Sequence, residues 1–139
     1  MFKKIKLYNV LKLKETSKIQ NHLDILSKIE MYAKENNAIL KNKVLMIFHT
    51  IDILSKMIEL EILISTDRKI PPNEKYEFIG DVELIKKPIE YYGNYDTLFK
   101  YYEKNSKKIK LPLYVLLNHT QKGLDIFILN HPEPILNKF

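Results

Sequence analysis

At 139 residues, 45% hydrophobic and 29% charged, the chain is sized for one domain around one core, not for two domains or a compositionally disordered segment. It has no cysteine, which excludes disulfides, thiolate metal sites, iron–sulfur clusters and a cysteine nucleophile, and no apolar run near the about 18 residues of a membrane-spanning helix. The net charge of +6 raises nucleic acid as a partner, yet all but Arg68 of the 23 basic residues are lysine, and base-edge readers depend on the bidentate arginine fork.

A solvated lysine surface, inflated by the codon usage of an AT-rich genome, is therefore expected, with no specific nucleic-acid partner and no membrane. The start Met1-Phe2-Lys3-Lys4-Ile5-Lys6 is too interrupted for a signal peptide, which places the chain in the cytoplasm.

In chain order, Ile5, Leu7, Leu11 and Leu13 alternate with Lys6, Lys12 and Lys14, and Asn9 interrupts one face; this predicts a half-buried strand. A helix is predicted near Ser17 to Glu35. Ser17-Lys18-Ile19-Gln20 fits a capping box, Ile19, Leu23, Leu26 and Ile29 with Tyr32 or Ala33 make an apolar stripe, and Asn36-Asn37 supplies a left-handed stop. Val44 to His49 and Lys56 to Ser65 read as strands. In the second, Ile58, Leu60, Ile62 and Ile64 share one face and Glu59 and Glu61 the other.

The run Arg68-Lys69-Ile70-Pro71-Pro72-Asn73-Glu74 is a loop. Tyr76 to Tyr92 follows as one long strand or two joined by a bend, because Pro88 cannot donate to a central ladder. Tyr95, Leu98, Phe99 and Tyr102 predict a second helix near Asn94 to Asn105, capped by Asn94. A hairpin of Leu113 to Leu117 and Leu124 to Leu129 closes the domain, with a tail from His131. Helices too few to cover two faces imply an α+β fold. Its antiparallel sheet carries both helices on one face, is built from two pseudo-symmetric strand–helix–strand halves, and leaves the other face free.

Glu59 and Glu61, at i and i+2, place their carboxylates about 7 Å apart on that free face, although any exposed strand yields such a pair. Of the four histidines only His49 sits on a strand facing the expected cleft. None falls in a metal-ligand pair, so no metal and no cofactor are expected. Three dispersed glycines make neither a phosphate loop nor a nucleophile elbow. Tyrosine is the enriched aromatic, nine against six phenylalanines, and Tyr91, Tyr92, Tyr95, Tyr101 and Tyr102 cluster around the second helix. Helical spacing assigns Tyr95 and Tyr102 to the core.

The stretch Ile89-Glu90-Tyr91-Tyr92-Gly93-Asn94-Tyr95-Asp96-Thr97-Leu98-Phe99 resembles the GyrI-like small-molecule-binding domain, in which a strand ends in a Gly-x-Tyr-Asp turn opening the second helix. Glu61-Ile62-Leu63-Ile64-Ser65-Thr66-Asp67 is similar to that family's strand with a glutamate near its start, with Ser65 in place of the usual proline. The resemblance spans residues 1–139 as a single domain. It implies a pseudo-twofold sheet enclosing a cleft for a hydrophobic or cationic small molecule, with Glu61 and Tyr91 as pocket residues and Glu59 and His49 nearby. Family members commonly carry a pocket glutamate where Tyr114 stands here, which puts Tyr114 in the cleft and counts against both cation binding and a hydrolase of electrophilic compounds. No DNA-binding helix-turn-helix is expected ahead of the first strand. The expectation is a binding module without catalytic residues; a homodimer or a protein-interaction role that kept the fold and lost the pocket is the alternative.

Overall fold

In a computed structural model that describes residues 3–86, 88–89, 94–120, 123–129 and 136–138, the first strand, β1 (Lys3–Lys18), is bent by a bulge. Its register with the fourth strand shifts between Leu7 and Val10, and Asn9 takes the left-handed conformation at φ 48°. The bulge inverts the side-chain parity. Ile5 and Leu7 belong to one buried cluster with Val10, whereas Leu11 and Leu13 belong to another on the opposite face. The odd-numbered run that reads as one apolar face therefore serves two. Ser65 and Thr66 clamp the bulge: Ser65 Oγ accepts from the Tyr8 N–H (3.0 Å) and donates to the Tyr8 carbonyl (2.9 Å), and Thr66 Oγ1 donates to the Asn9 carbonyl (2.8 Å).

The helix predicted near Ser17 begins later. Pairing with the third strand extends β1 through Ser17↔Ile58 and Lys18↔Met57, and these ladder bonds override the local capping box, so the Ser17 hydroxyl donates to the Lys18 carbonyl instead. After a 3-10 turn at Ile19–Asn21, α1 (His22–Glu35) buries His22, Ile25, Ile29 and Ala33, a stripe rotated from the predicted one, and leaves Leu23 46% exposed. Asn37, at φ 61°, ends it as expected.

β2 (Leu40–Asp52) and β3 (Met57–Thr66) form the next hairpin, turning on Asp52, whose carboxylate accepts the N–H groups of Leu54 and Ser55. The proline segment follows, pinned by Tyr32, which stacks on Tyr76 at 4.1 Å and donates to the Pro71 carbonyl. β4 (Tyr76–Lys86) and β5 (Pro88–Ile89) are the long strand broken near Pro88. Asn94 caps the second helical segment by accepting the Thr97 N–H, through a 3-10 turn at Tyr95–Thr97 into α2 (Leu98–Lys104). β6 (Leu113–Thr120), β7 (Gly123–Leu129) and β8 (Leu136–Lys138) complete the chain.

The strands form one antiparallel sheet in the order β5-β7-β6-β2-β3-β1-β4-β8. Within the first half β3 lies between β1 and β2; within the second, β7 lies between β5 and β6. The halves join through equivalent strands, β1 with β4 and β2 with β6, which is the pairing a pseudo-twofold axis demands. β4 and β5 pair with β1 and β7 on opposite sides of this order, and one inner cluster joins side chains of β1, β4 and β6, so the sheet curls round its inner face as a partly closed barrel. The outer face, with Met46, Phe48, Leu60, Ile62 and Val115, is covered by α1 and α2. The inner face holds a second buried cluster: Ile5, Leu7, Val10, Leu45, Ile47, Leu63, Val82, Leu84, Tyr114 and Leu116. The expected free face of the sheet is thus the packed interior of the barrel.

Candidate functional site

The inner face changes from apolar to polar along the strands. One cross-strand row reads Leu116, Leu45, Leu63, Lys12; the next reads Tyr114, Ile47, Glu61, Lys14. Glu61 therefore stands where the aliphatic interior meets a polar rim. Its side chain is only 14% exposed. A bulge in β2 between Phe48 and Thr50 leaves His49 outside the β3 ladder and lets the ring reach Glu61, with Nε2 2.7 Å from Oε1. The other oxygen, Oε2, is 3.5 Å from Lys12 Nζ, which lies closer, at 3.0 Å, to Glu77. Burial works against the Lys12 charge, but Glu77 and Glu61 outweigh it and raise its pKa above the ordinary lysine value. Glu59, one row further out, pairs with Lys14 at 3.3 Å.

The fold thus brings Glu59, Glu61 and His49 onto one polar strip, with Tyr114 one strand beyond Ile47. Burial first, and the Glu61 carboxylate second, raise the Tyr114 hydroxyl above the usual tyrosine pKa. Tyr91, with Tyr92 and Gly93, lies outside the described residues. His49 Nε2 donates to the Glu61 carboxylate, and with Lys12 on the other oxygen the strip concentrates charge-bearing groups around one buried carboxylate. Among the described residues, no group of three or more histidines and carboxylates is arranged to hold a metal ion. No described helix is long and apolar enough to cross a membrane.

Two concavities formed by described residues, of about 650 and 620 Å³, lie elsewhere, both bordered by Asn9. Neither includes Glu61 or Tyr114.

Two polar arrangements escaped the sequence reading. His22 is buried at the start of α1, its Nδ1 2.6 Å from the Ile19 carbonyl and its Nε2 hydrogen-bonded to the Tyr95 hydroxyl. The ring sits among Phe48, Tyr95 and Phe99. Burial lowers the His22 pKa and raises that of Tyr95, so this pair stays neutral and ties α1 to the start of α2. Ser65, read as a departure from a proline, is the residue that clamps the β1 bulge. Nothing local in the sequence signals either, since the partners are 73 and 57 residues apart.

No family model, curated protein or solved structure matches this chain.

Proposed function

We propose that this chain is a GyrI-like small-molecule-binding domain that takes a lipophilic cation at the polar rim of the barrel. The observation that carries the reading is Glu61, a largely buried carboxylate set beside Ile47 and Tyr114 at the border of an apolar interior. Such a carboxylate rewards a desolvated positive charge, and an adjacent tyrosine ring adds roughly 0.5–2 kcal/mol of cation–π attraction. Lys12 is ion-paired with Oε2 at 3.5 Å, so a ligand cation takes that oxygen by displacing Lys12 toward Glu77, its nearer partner at 3.0 Å.

The test is thermal unfolding with tetraphenylphosphonium and with neutral triphenylphosphine oxide. At about 100 times its Kd, the cation should add about 2.7 kcal/mol of stability. Glu61→Gln should weaken the cation at least about tenfold, since a charge-assisted contact is lost, and leave the neutral compound unchanged. Equal loss of both compounds, or no shift with the cation at about 1 mM, overturns the reading.

A second reading, a protein-interaction module that kept the fold and lost the pocket, is favoured by the buried cluster, ten side chains among the described residues, that packs the interior. Under it neither compound shifts the transition.

A further inference from the structure

At the C-terminal end of β3, four residues beyond the mid-strand Glu61, the backbone borders a concavity of about 650 Å³, within the range of small-molecule sites. Two bulges make it. On one flank of β3, β1 bulges at Tyr8–Asn9; on the other, the β2 ladder jumps from Leu40↔Thr66 to Val44↔Ile64, which leaves Lys41 and Asn42 outside the pairing with β3. Ser65 and Thr66 hold these irregular stretches together, and the concavity beside them is lined by Lys6, Lys41 and Lys43, the last donating to the Lys6 carbonyl at 3.5 Å.

The charge in this space is one-sided. Lys41 and Lys43 form no ion pair among the described residues, and Lys6 is 4.0 Å from Glu83. The one carboxylate in the lining, Asp67, is already engaged: Arg68 holds it at 2.9 Å and the Ile39 N–H at 2.7 Å. The walls add exposed apolar surface. Tyr8 is 52% exposed and Ile39 60%, so both side chains are available for apolar contact beside the lysines.

We propose that this concavity is a second binding site, for a small organic anion with a flat apolar body, such as an aryl phosphate. The lysines meet the anionic group, and Tyr8 and Ile39 meet the body. The site is independent of the Glu61 rim and takes the opposite charge.

Titration calorimetry with 1-naphthyl phosphate, inorganic phosphate and 1-naphthol tests it. The aryl phosphate should bind saturably below about 1 mM and at least about tenfold more tightly than either fragment, because charge and apolar contact act together. Lys41→Gln with Lys43→Gln should weaken it at least about tenfold, and Tyr8→Ala should weaken the aryl phosphate while leaving inorganic phosphate unaltered. Glu61→Gln should change nothing here, which separates this site from the cation site. Unchanged binding in the lysine double variant overturns the proposal. So does displacement of the aryl phosphate by short duplex DNA of any sequence, with a steep salt dependence, since that is the behaviour of a general polyanion surface.

Discussion

The contact between His22 and Tyr95 makes a sharp prediction because its hydrogen atoms can be placed. The Ile19 carbonyl can only accept, so His22 Nδ1 carries the proton, Nε2 is bare, and the Tyr95 hydroxyl donates to it in preference to the weaker acceptor Met46 Sδ, 3.6 Å away. Tyr95→Phe keeps the ring stacked on the imidazole at 5.5 Å but leaves a buried nitrogen without a donor, a loss of about 1–3 kcal/mol. At about 4 °C per kcal/mol for a chain of this length, Tm should fall by about 4–12 °C. Adding His22→Phe removes the orphaned acceptor. The Ile19 carbonyl stays satisfied by the His22 backbone N–H, so the double variant should be less destabilised than the two single losses summed. Urea unfolding followed by far-ultraviolet circular dichroism measures all four proteins. Strictly additive losses would refute the assigned donor and acceptor.

The same histidine fixes a sign. Burial lowers its pKa in the folded state, so below about 6.5 the unfolded chain binds the extra proton. Stability from His22 is full above about 6.5 and declines as pH falls through the window down to the folded value, and His22→Phe should flatten that part of the profile.

Two further substitutions test the barrel. Leu63 is fully buried in the interior, so Leu63→Ala should cost about 2–5 kcal/mol, whereas Leu54→Ala, at a hairpin tip that is 96% exposed, should stay within about 0.5 kcal/mol; equal effects in urea titrations would contradict the packed interior. At the β1 bulge, Asn9→Gly should be close to neutral and Asn9→Val should lose about 1–3 kcal/mol, because a β-branched residue resists φ 48°; a tolerated valine in the same assay would argue against the bulge.

Much of the fold was legible because β3 carries a clean alternation: Ile58, Leu60, Ile62 and Ile64 pack under the helices, as their spacing requires. The asparagine punctuation was legible as well, at Asn37 and Asn94. The rest depends on partners far away in sequence. Asn9 announced an interruption in β1, but only the shift against β4 shows that it turns Ile5 and Leu7 to the inner face and Leu11 and Leu13 to the outer one. The capping box at Ser17 was sound local chemistry that lost to the Lys18↔Met57 pairing. At the candidate site, the shared face of Glu59 and Glu61 follows from spacing, while the His49 contact depends on a bulge that no motif marks. Tyr114 is aligned with Glu61 only through Ile47 and the β2–β6 pairing that joins the halves.

Methyl carbon–proton spectra of the isoleucine- and leucine-labelled protein during titration with tetraphenylphosphonium test the central functional claim most directly. Ile47 lies across the strands from both Glu61 and Tyr114, whereas Ile39 and Leu40 lie at the entry to β2 beside the lysines. The account predicts saturable shifts at Ile47 and Leu63, none at Ile39 or Leu40, and loss of the response in Glu61→Gln. Shifts centred on Ile39 and Leu40, or spectra unchanged at about 1 mM cation, would contradict a cation site at the rim of this barrel.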